Sequence, residues 1–210
     1  MGKVTDNAGI SGAVGTVIYS NWREIKYMKS RGQVSKKKPS PKQLEQRARV
    51  GMVSPFVYSM KALLEKTFIN FAVGKTGTNA AISYNLKNCI AGAYPALFID
   101  YSLALVSRGD LPNAAVPVVA VGDNGQVGFQ WIDNSGTGQA KPTDKCIAVV
   151  YCLELNCTMY SDGAATRKDG SLILDAHQLN GKTVETWLVI ISVNGVEVAN
   201  SVYTGQVVVL

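Results

Sequence analysis

Apolar and polar positions alternate in the first part of the chain, which is typical of β-strands. The alternation runs from Val14 to Tyr19 and resumes less regularly from Trp22 to Met28, after a predicted turn at Ser20-Asn21. We therefore expect an N-terminal β-hairpin or arm over residues 1–34. Because an isolated hairpin is only marginally stable in water, this arm needs a surface to pack on, either in its own chain or in a neighbouring copy.

From Pro41 the spacing of apolar residues changes to that of a helix. Ser40 is a suitable N-cap, and Pro41 is suited to the first helical position. Apolar side chains then recur at spacings of three and four and form one stripe, made of Val53, Val57, Met60, Leu64, Phe68 and Phe71. Pro55 predicts a kink or a split near Ser54. With a second helix expected over 79–92, residues 35–92 are predicted to hold a basic loop and a helical pair.

Residues 93–210 return to the pattern of short strands. Alternation over 98–106 predicts one strand, and Asn124-Gly125 and Asn194-Gly195 predict hairpin turns. Seven or eight strands with a turn signal every ten to fifteen residues favour an antiparallel, immunoglobulin-like β-sandwich. The predicted fold is thus mainly β with a helical insert.

The composition is that of a globular chain, and the two halves of the chain carry net charges of opposite sign. The 210 residues are 47% hydrophobic and 17% charged. Residues 1–92 hold 15 Lys and Arg against four Asp and Glu, a net charge of +11, whereas residues 93–210 have six against eleven, a net charge of −5. Because the two halves differ in sign, such a chain can attract copies of itself as well as an anion.

The basic charge is densest between Trp22 and Arg49, where ten Lys or Arg stand against two Glu. This segment can contact an acidic protein surface, including the acidic half of another copy, or it can bind nucleic acid through phosphate contacts and base stacking. It can also serve solubility alone. The candidate contact residues are Trp22, Arg23, Lys26, Lys29, Arg31, Lys36, Lys37, Lys38, Lys42, Arg47 and Arg49.

No group of residues specifies a reaction, a metal or a cofactor. His177 has Asp175 two positions before it, but the chain lacks a G-x-S-x-G nucleophile motif. Gly74-Lys75-Thr76 resembles the end of a phosphate-binding loop, yet the required earlier glycine is absent, so we predict a connecting turn. The four cysteines do not have zinc-binding spacing and are interpreted as buried apolar residues. We expect no enzyme, no cofactor and no small-molecule substrate.

The sequence also carries expectations about location. Its first residues lack the apolar core of a secretory signal, and no apolar run approaches the roughly 20 residues that span a bilayer. We therefore expect cytoplasmic synthesis and no membrane span, with an assembled particle or filament as the final location.

Four stretches carry a resemblance to a known family. They are "GAVGTVIYSNWREIKYMKS", "KPSPKQLEQRAR", "NAAISYNLKN" and "NSVYTGQ". Together they are similar to an uncharacterised bacterial family, domain of unknown function 6266, over nearly the whole chain. The resemblance implies a shared fold and transfers no activity or site residue. The expected function is a non-enzymatic, self-assembling structural subunit of a filament, a phage particle or a phage-like assembly. The alternative is a nucleic-acid-binding accessory protein that uses the Trp22–Arg49 segment.

Overall fold

The computed structural model describes residues 2–3, 11–22, 25–33 and 37–210. The chain divides into two compact units, an N-terminal unit over Met1–Ser40 and a main unit over Pro41–Leu210. The described residues are mainly β, with three α-helices and several antiparallel sheets, which confirms the predicted class. The predicted boundary between residues 92 and 93 falls inside a strand, Ile90–Ala93, and both sides of it belong to the same compact unit.

The N-terminal unit contains an antiparallel sheet rather than a single hairpin. Its described strands are β1 (Gly2–Lys3), β2 (Gly12–Val14), β3 (Val17–Trp22) and β4 (Ile25–Ser30), in the order β1-β4-β3-β2. Pairing of β3 with β4 confirms the predicted hairpin. The predicted turn at Ser20-Asn21 is wrong, because both residues lie inside β3. A tighter turn divides the first run instead, where Gly15 has the positive φ of 59° that glycine adopts readily.

Three described α-helices open the main unit: α1 (Pro41–Ser59), α2 (Lys61–Thr67) and α3 (Gly77–Asn88). The predicted start at Pro41 is confirmed. The predicted split near Ser54 is wrong, since α1 continues through Pro55 and the break falls at Met60. The helix expected over 79–92 begins and ends earlier. Its start is set by Thr76, whose side chain accepts a hydrogen bond from the Asn79 N–H at 3.1 Å.

The remaining described strands are β5 (Ile90–Ala93), β6 (Ala96–Ile99), β7 (Ala115–Val121), β8 (Gln126–Ile132), β9 (Lys145–Cys152), β10 (Cys157–Tyr160), β11 (Ala165–Thr166), β12 (Ser171–Asp175), β13 (Thr183–Ile191) and β14 (Val202–Val208). The strand predicted over 98–106 is wrong beyond Ile99. There the Asp100 carboxylate accepts a hydrogen bond from the Ser102 N–H at 3.0 Å and starts a 3-10 turn. The Asn124-Gly125 turn between β7 and β8 is confirmed.

Two sheets of the main unit pack on each other. The inner sheet has the order β10-β9-β13-β14, with β11 paired to β9, and the outer sheet has the order β12-β8-β7. One face of the inner sheet meets the outer sheet through Ala148, Val150, Leu188 and Ile190, which pack with Val127 and Phe129. Because side chains alternate along a strand, the residues between them point to the opposite face.

That opposite face of the inner sheet packs on the helices. Val149, Trp187 and Val189 share a core with Val53 and Phe56 of α1. The main unit is therefore built of three layers, with helices, inner sheet and outer sheet in that order. This arrangement explains the nearly continuous apolar sequence of β9 and β13, since these strands are buried on both faces.

Candidate functional surfaces

The basic residues predicted as a contact site do not belong to one unit. Lys26, Lys29, Arg31, Lys37 and Lys38 lie in the N-terminal unit, whereas α1 of the main unit carries Lys42, Arg47 and Arg49. Trp22 ends β3, and Arg23 and Lys36 lie outside the described residues. Each unit therefore presents its own part of the basic segment.

One ion pair of this segment lies within α1. The Arg49 guanidinium contacts the Glu45 carboxylate through Nε at 3.0 Å and Nη2 at 2.9 Å, one helical turn apart. Such an i,i+4 pair on a helix is worth about 0.3–0.5 kcal/mol. Lys29, Arg31, Lys42 and Arg47 are exposed.

The side of the outer sheet that faces away from the inner sheet is largely apolar, and we call it the outer face. Val118 of β7 stands beside Gln130 of β8, which stands beside Ser171 of β12. The next row holds Ala120, Gly128 and Ile173. Apolar side chains here are 48–66% exposed, and they belong to Val116, Val118, Ile132 and Ile173. Among the described residues of this face, Asp175 at its end is the charged one.

A cavity of about 410 Å³ lies between α3 and the segments that flank the helices, and we call it the basic pocket. Its walls include three cationic side chains and two aromatic rings, contributed by Lys75, Lys87, Arg108, Phe71 and Tyr84. No carboxylate belongs to the described lining. The Arg108 guanidinium lies 4.0 Å from the centre of the Phe71 ring and 5.0 Å from that of Tyr84.

A second cavity, of about 450 Å³, opens beside α1 and β6. Its lining is mostly apolar, from Met52 and Pro55 on one side to Phe98 and Leu153 on the other. The Tyr151 hydroxyl at its edge donates to the Asn156 amide oxygen at 3.1 Å. Such a lining fits an apolar group and offers no charge that would select among ligands.

The most deeply buried charges of the main unit form a structural pair. Arg167 is fully buried, and its guanidinium contacts the Asp144 carboxylate through Nε at 3.2 Å and Nη2 at 3.0 Å. The same guanidinium donates to the carbonyls of Pro112 and Asn113 and to the side-chain oxygen of Asn134. Every N–H of the group is thus engaged in holding loops together, which leaves none for a ligand.

Other reactive groups lie apart from one another. His177 contacts Asp175 at 2.8 Å in an exposed position, and this hydrogen bond lowers the pKa of the Asp175 carboxyl. His177 stands in a 3-10 turn rather than on a strand. Burial raises the pKa of the Cys89 thiol to about 11 and that of the Cys146 thiol to about 12, so neither is a ready nucleophile. The described residues contain no cluster of side chains that could hold a metal ion.

Neither the outer face nor the basic pocket was predicted from the sequence. The outer face had a detectable signal, because β7 is apolar at every position and therefore on both of its faces. The basic pocket had a weaker one, since Ser83 and Lys87 are one turn apart on α3 and share a face. Arg108 lies about twenty residues after Lys87, so no short sequence motif connects it with Ser83 and Lys87.

Comparison with known proteins gives a family and no activity. Within the described residues, no helix combines the length and the hydrophobicity needed to cross a membrane. A search of curated proteins finds no match for this chain. A family model does match residues 9–205, which is nearly the whole chain. The chain therefore belongs to the family of unknown function DUF6266.

Proposed function

We propose that this protein is a non-enzymatic structural subunit that associates with further copies of itself. The outer face carries the proposal. Its valine and isoleucine side chains are 48–66% exposed beside Gln130 and Ser171, and they give this face more apolar surface than a solvated sheet face normally has. Contiguous apolar surfaces of this kind mark interaction sites.

A second copy of the same chain is the occupant that fits this face. Two sheet faces pack about 10 Å apart with their strands nearly aligned. A two-fold axis through the face would place Val118 and Ile173 against the same residues of the partner. Such a contact between apolar side chains needs no oppositely charged surface on the partner. Burial of the exposed part of each valine or isoleucine contributes on the order of 1 kcal/mol before the cost of association, because these side chains are already about half buried.

The backbone of β7 supplies independent support. Val116 is exposed on the outer face and has a φ of 47°, a conformation that costs a β-branched residue energy. It lies at an irregularity in the β7–β8 pairing, just before Pro117. Strained positions of this kind cluster at functional surfaces.

A filament or a particle needs a second contact, because a two-fold contact closes after two copies. We propose that the basic residues of the N-terminal half supply it, against the acidic half of a neighbouring subunit. The assembled particle or filament is then the site of action. The immunoglobulin-like class belongs to this proposal and is supported by the two antiparallel sheets that pack face to face.

Sedimentation velocity of the full chain tests the role of the outer face. Val118→Lys and Ile173→Lys, singly and together, place charges in the contact and should convert assemblies to smaller species. Val196→Lys is the matched control, because Val196 is similarly exposed in the turn after β13, where its carbonyl accepts a hydrogen bond from the Asn70 side chain. Equal assembly of the outer-face variants and the control would contradict the proposal, provided that circular dichroism shows all of them folded.

Salt and nuclease separate this proposal from its alternatives. Raising the ionic strength from about 0.05 M to about 0.5 M shortens the Debye length from about 14 to about 4 Å. Contacts between outer faces should persist, whereas the proposed charge contact should weaken. Electron microscopy should then show polymers at low salt and two-fold pairs at high salt. Assemblies that disappear on nuclease treatment would instead favour the nucleic-acid-binding alternative through Trp22–Arg49.

A further inference from the structure

We propose that the basic pocket binds the phosphate group of a small phosphate monoester. The residues that carry this inference are Lys75, Ser83, Lys87 and Arg108, with the rings of Phe71 and Tyr84. The pocket lies in the main unit, and it is independent of the outer face on which the proposed self-association rests.

Arg108 is held in place by its backbone before any ligand arrives. Its N–H donates to the Thr67 carbonyl at 3.1 Å, and the N–H of Gly109 donates to the Asn200 side chain at 3.2 Å. A Cβ added at Gly109 would lie 1.9 Å from the Val198 carbonyl oxygen, so this segment is closely packed. The position of Arg108 is therefore part of the fold.

The aromatic rings hold the guanidinium without using its hydrogen-bond donors. A guanidinium over the Phe71 and Tyr84 rings gains cation–π attraction, and this attraction uses none of its N–H donors. Within the described residues no carboxylate forms an ion pair with Arg108, Lys75 or Lys87. These donors match the paired oxygens of a phosphate group, which arginine binds in a bidentate manner.

The helix α3 brings the other polar groups to the same cavity. Ser83 and Lys87 are one turn apart on its pocket side. The Asn85 side chain fixes α3 to the segment that leads to Arg108, since it donates to the Leu105 carbonyl and accepts from the Leu105 N–H, both at 3.0 Å. Helix and arginine are thus held in one frame.

Charge decides the class of ligand. Three cations around one cavity repel each other, and an anion between them removes that cost. A phosphate monoester carries up to two negative charges and several acceptor oxygens, which suits one guanidinium, two ammonium groups and a hydroxyl better than a single carboxylate does. Lys75 lies in the Gly74-Lys75-Thr76 turn, which resembles only the end of a phosphate-binding loop. In this pocket the lysine would contact the phosphate from that turn.

Amide NMR titration of the full chain with inorganic phosphate and with glycerol phosphate tests the inference. We expect saturable shifts at residues 75, 83–88 and 108 with both probes. The Lys75→Gln/Lys87→Gln variant should weaken binding by at least about tenfold, since it removes charge-assisted hydrogen bonds. Arg108→Lys should also weaken it, because lysine keeps the charge but loses the bidentate geometry.

Lys66→Gln is the control for the loss of one positive charge, since Lys66 is exposed on α2, outside the pocket lining. It should change the affinity by less than about twofold. The inference is overturned if no saturable shift appears or if Lys66→Gln weakens binding as strongly as the pocket variants. It is also overturned if an oligonucleotide without a terminal phosphate binds better at these residues than glycerol phosphate does.

Discussion

At the scale of the residue, the guanidinium of Arg167 lies where three loops of the main unit meet. This guanidinium contacts Asp144, Asn134 and the backbone at Pro112 and Asn113. The indole N–H of Trp131 donates to the backbone carbonyl of Arg167 at 2.8 Å. Such a pair contributes little net stability over an apolar replacement of both partners, because desolvation opposes the attraction. Removal of only one partner of the pair is costly, however, because the charge of the other partner stays buried without a counter-charge.

Arg167→Met should therefore destabilise the protein by about 3–5 kcal/mol, since the Asp144 carboxylate remains buried without its cation. Chemical denaturation followed by circular dichroism measures the free energy of unfolding. Lys168→Met is the matched control, because Lys168 is the exposed neighbour of Arg167 and should change that free energy by no more than about 0.5 kcal/mol. Similar losses in both variants would show that the pair does not have the assigned role.

At the scale of the element, Glu65 of α2 secures the beginning of α3. Its carboxylate accepts hydrogen bonds from the Gly77 N–H at 3.0 Å, the Thr78 N–H at 3.3 Å and the Thr78 hydroxyl at 2.6 Å. The hydrogen bond from the Thr78 hydroxyl is the main cause that lowers the pKa of the Glu65 carboxyl. A close approach of the backbones supports this contact, since a Cβ at Gly77 would lie 2.4 Å from the Leu64 carbonyl oxygen.

Glu65→Gln should lower the free energy of unfolding by about 1 kcal/mol near neutral pH, because charged acceptors at a helix start are the stronger ones. The folded pKa of Glu65 is depressed, so its stabilisation is present above the ordinary value of 4.5 and is lost as the pH falls through the folded pKa. The difference between variant and parent should therefore shrink in acid. Glu45→Gln on α1, which breaks only a half-buried i,i+4 pair, is the control. A difference independent of pH would contradict the assignment.

Local chemistry decided which elements could be predicted. Pro41 and the Asn124-Gly125 turn carry their signal within a few residues, and both predictions are confirmed. Pro55 does not split α1 as predicted, because burial of Val53 and Val57 on both sides of it holds the helix together. The three layers were not predicted, since the continuous apolar sequence of β9 shows burial on both faces but does not name the partner of either face.

At the scale of the whole molecule, the two units differ in where their stability lies. The apolar cores of the described chain begin at Val53, and none of their residues belongs to the N-terminal unit. The main unit therefore has its own cores. Packing of the N-terminal arm on its own chain or on a neighbouring copy stays a prediction. Sequence patterns could not resolve this point, because an arm that packs on its own chain and one that is exchanged between copies have the same pattern.

A chain of residues 41–210 should fold by itself, since it keeps both cores. Its melting temperature should differ from that of the full chain by less than about 4 °C, which corresponds to 1 kcal/mol in a domain of this size. Residues 61–210 form the control, because they lack α1 with Val53 and Phe56 and should not fold cooperatively. Failure of residues 41–210 to fold would show that the N-terminal unit completes the core.

The alternation of β13 between two cores makes the protein sensitive to changes in chain length. Deletion of one residue before Trp187 would rotate every later side chain of the strand to the opposite side. The indole would then enter the space beside Ala148 and Val150, and its hydrogen bond to the Ala104 carbonyl, now 3.2 Å, would be lost. Surface loops can gain or lose residues at small cost. Natural members of the family should therefore vary in length at the loops and keep a constant number of residues through β9 and β13.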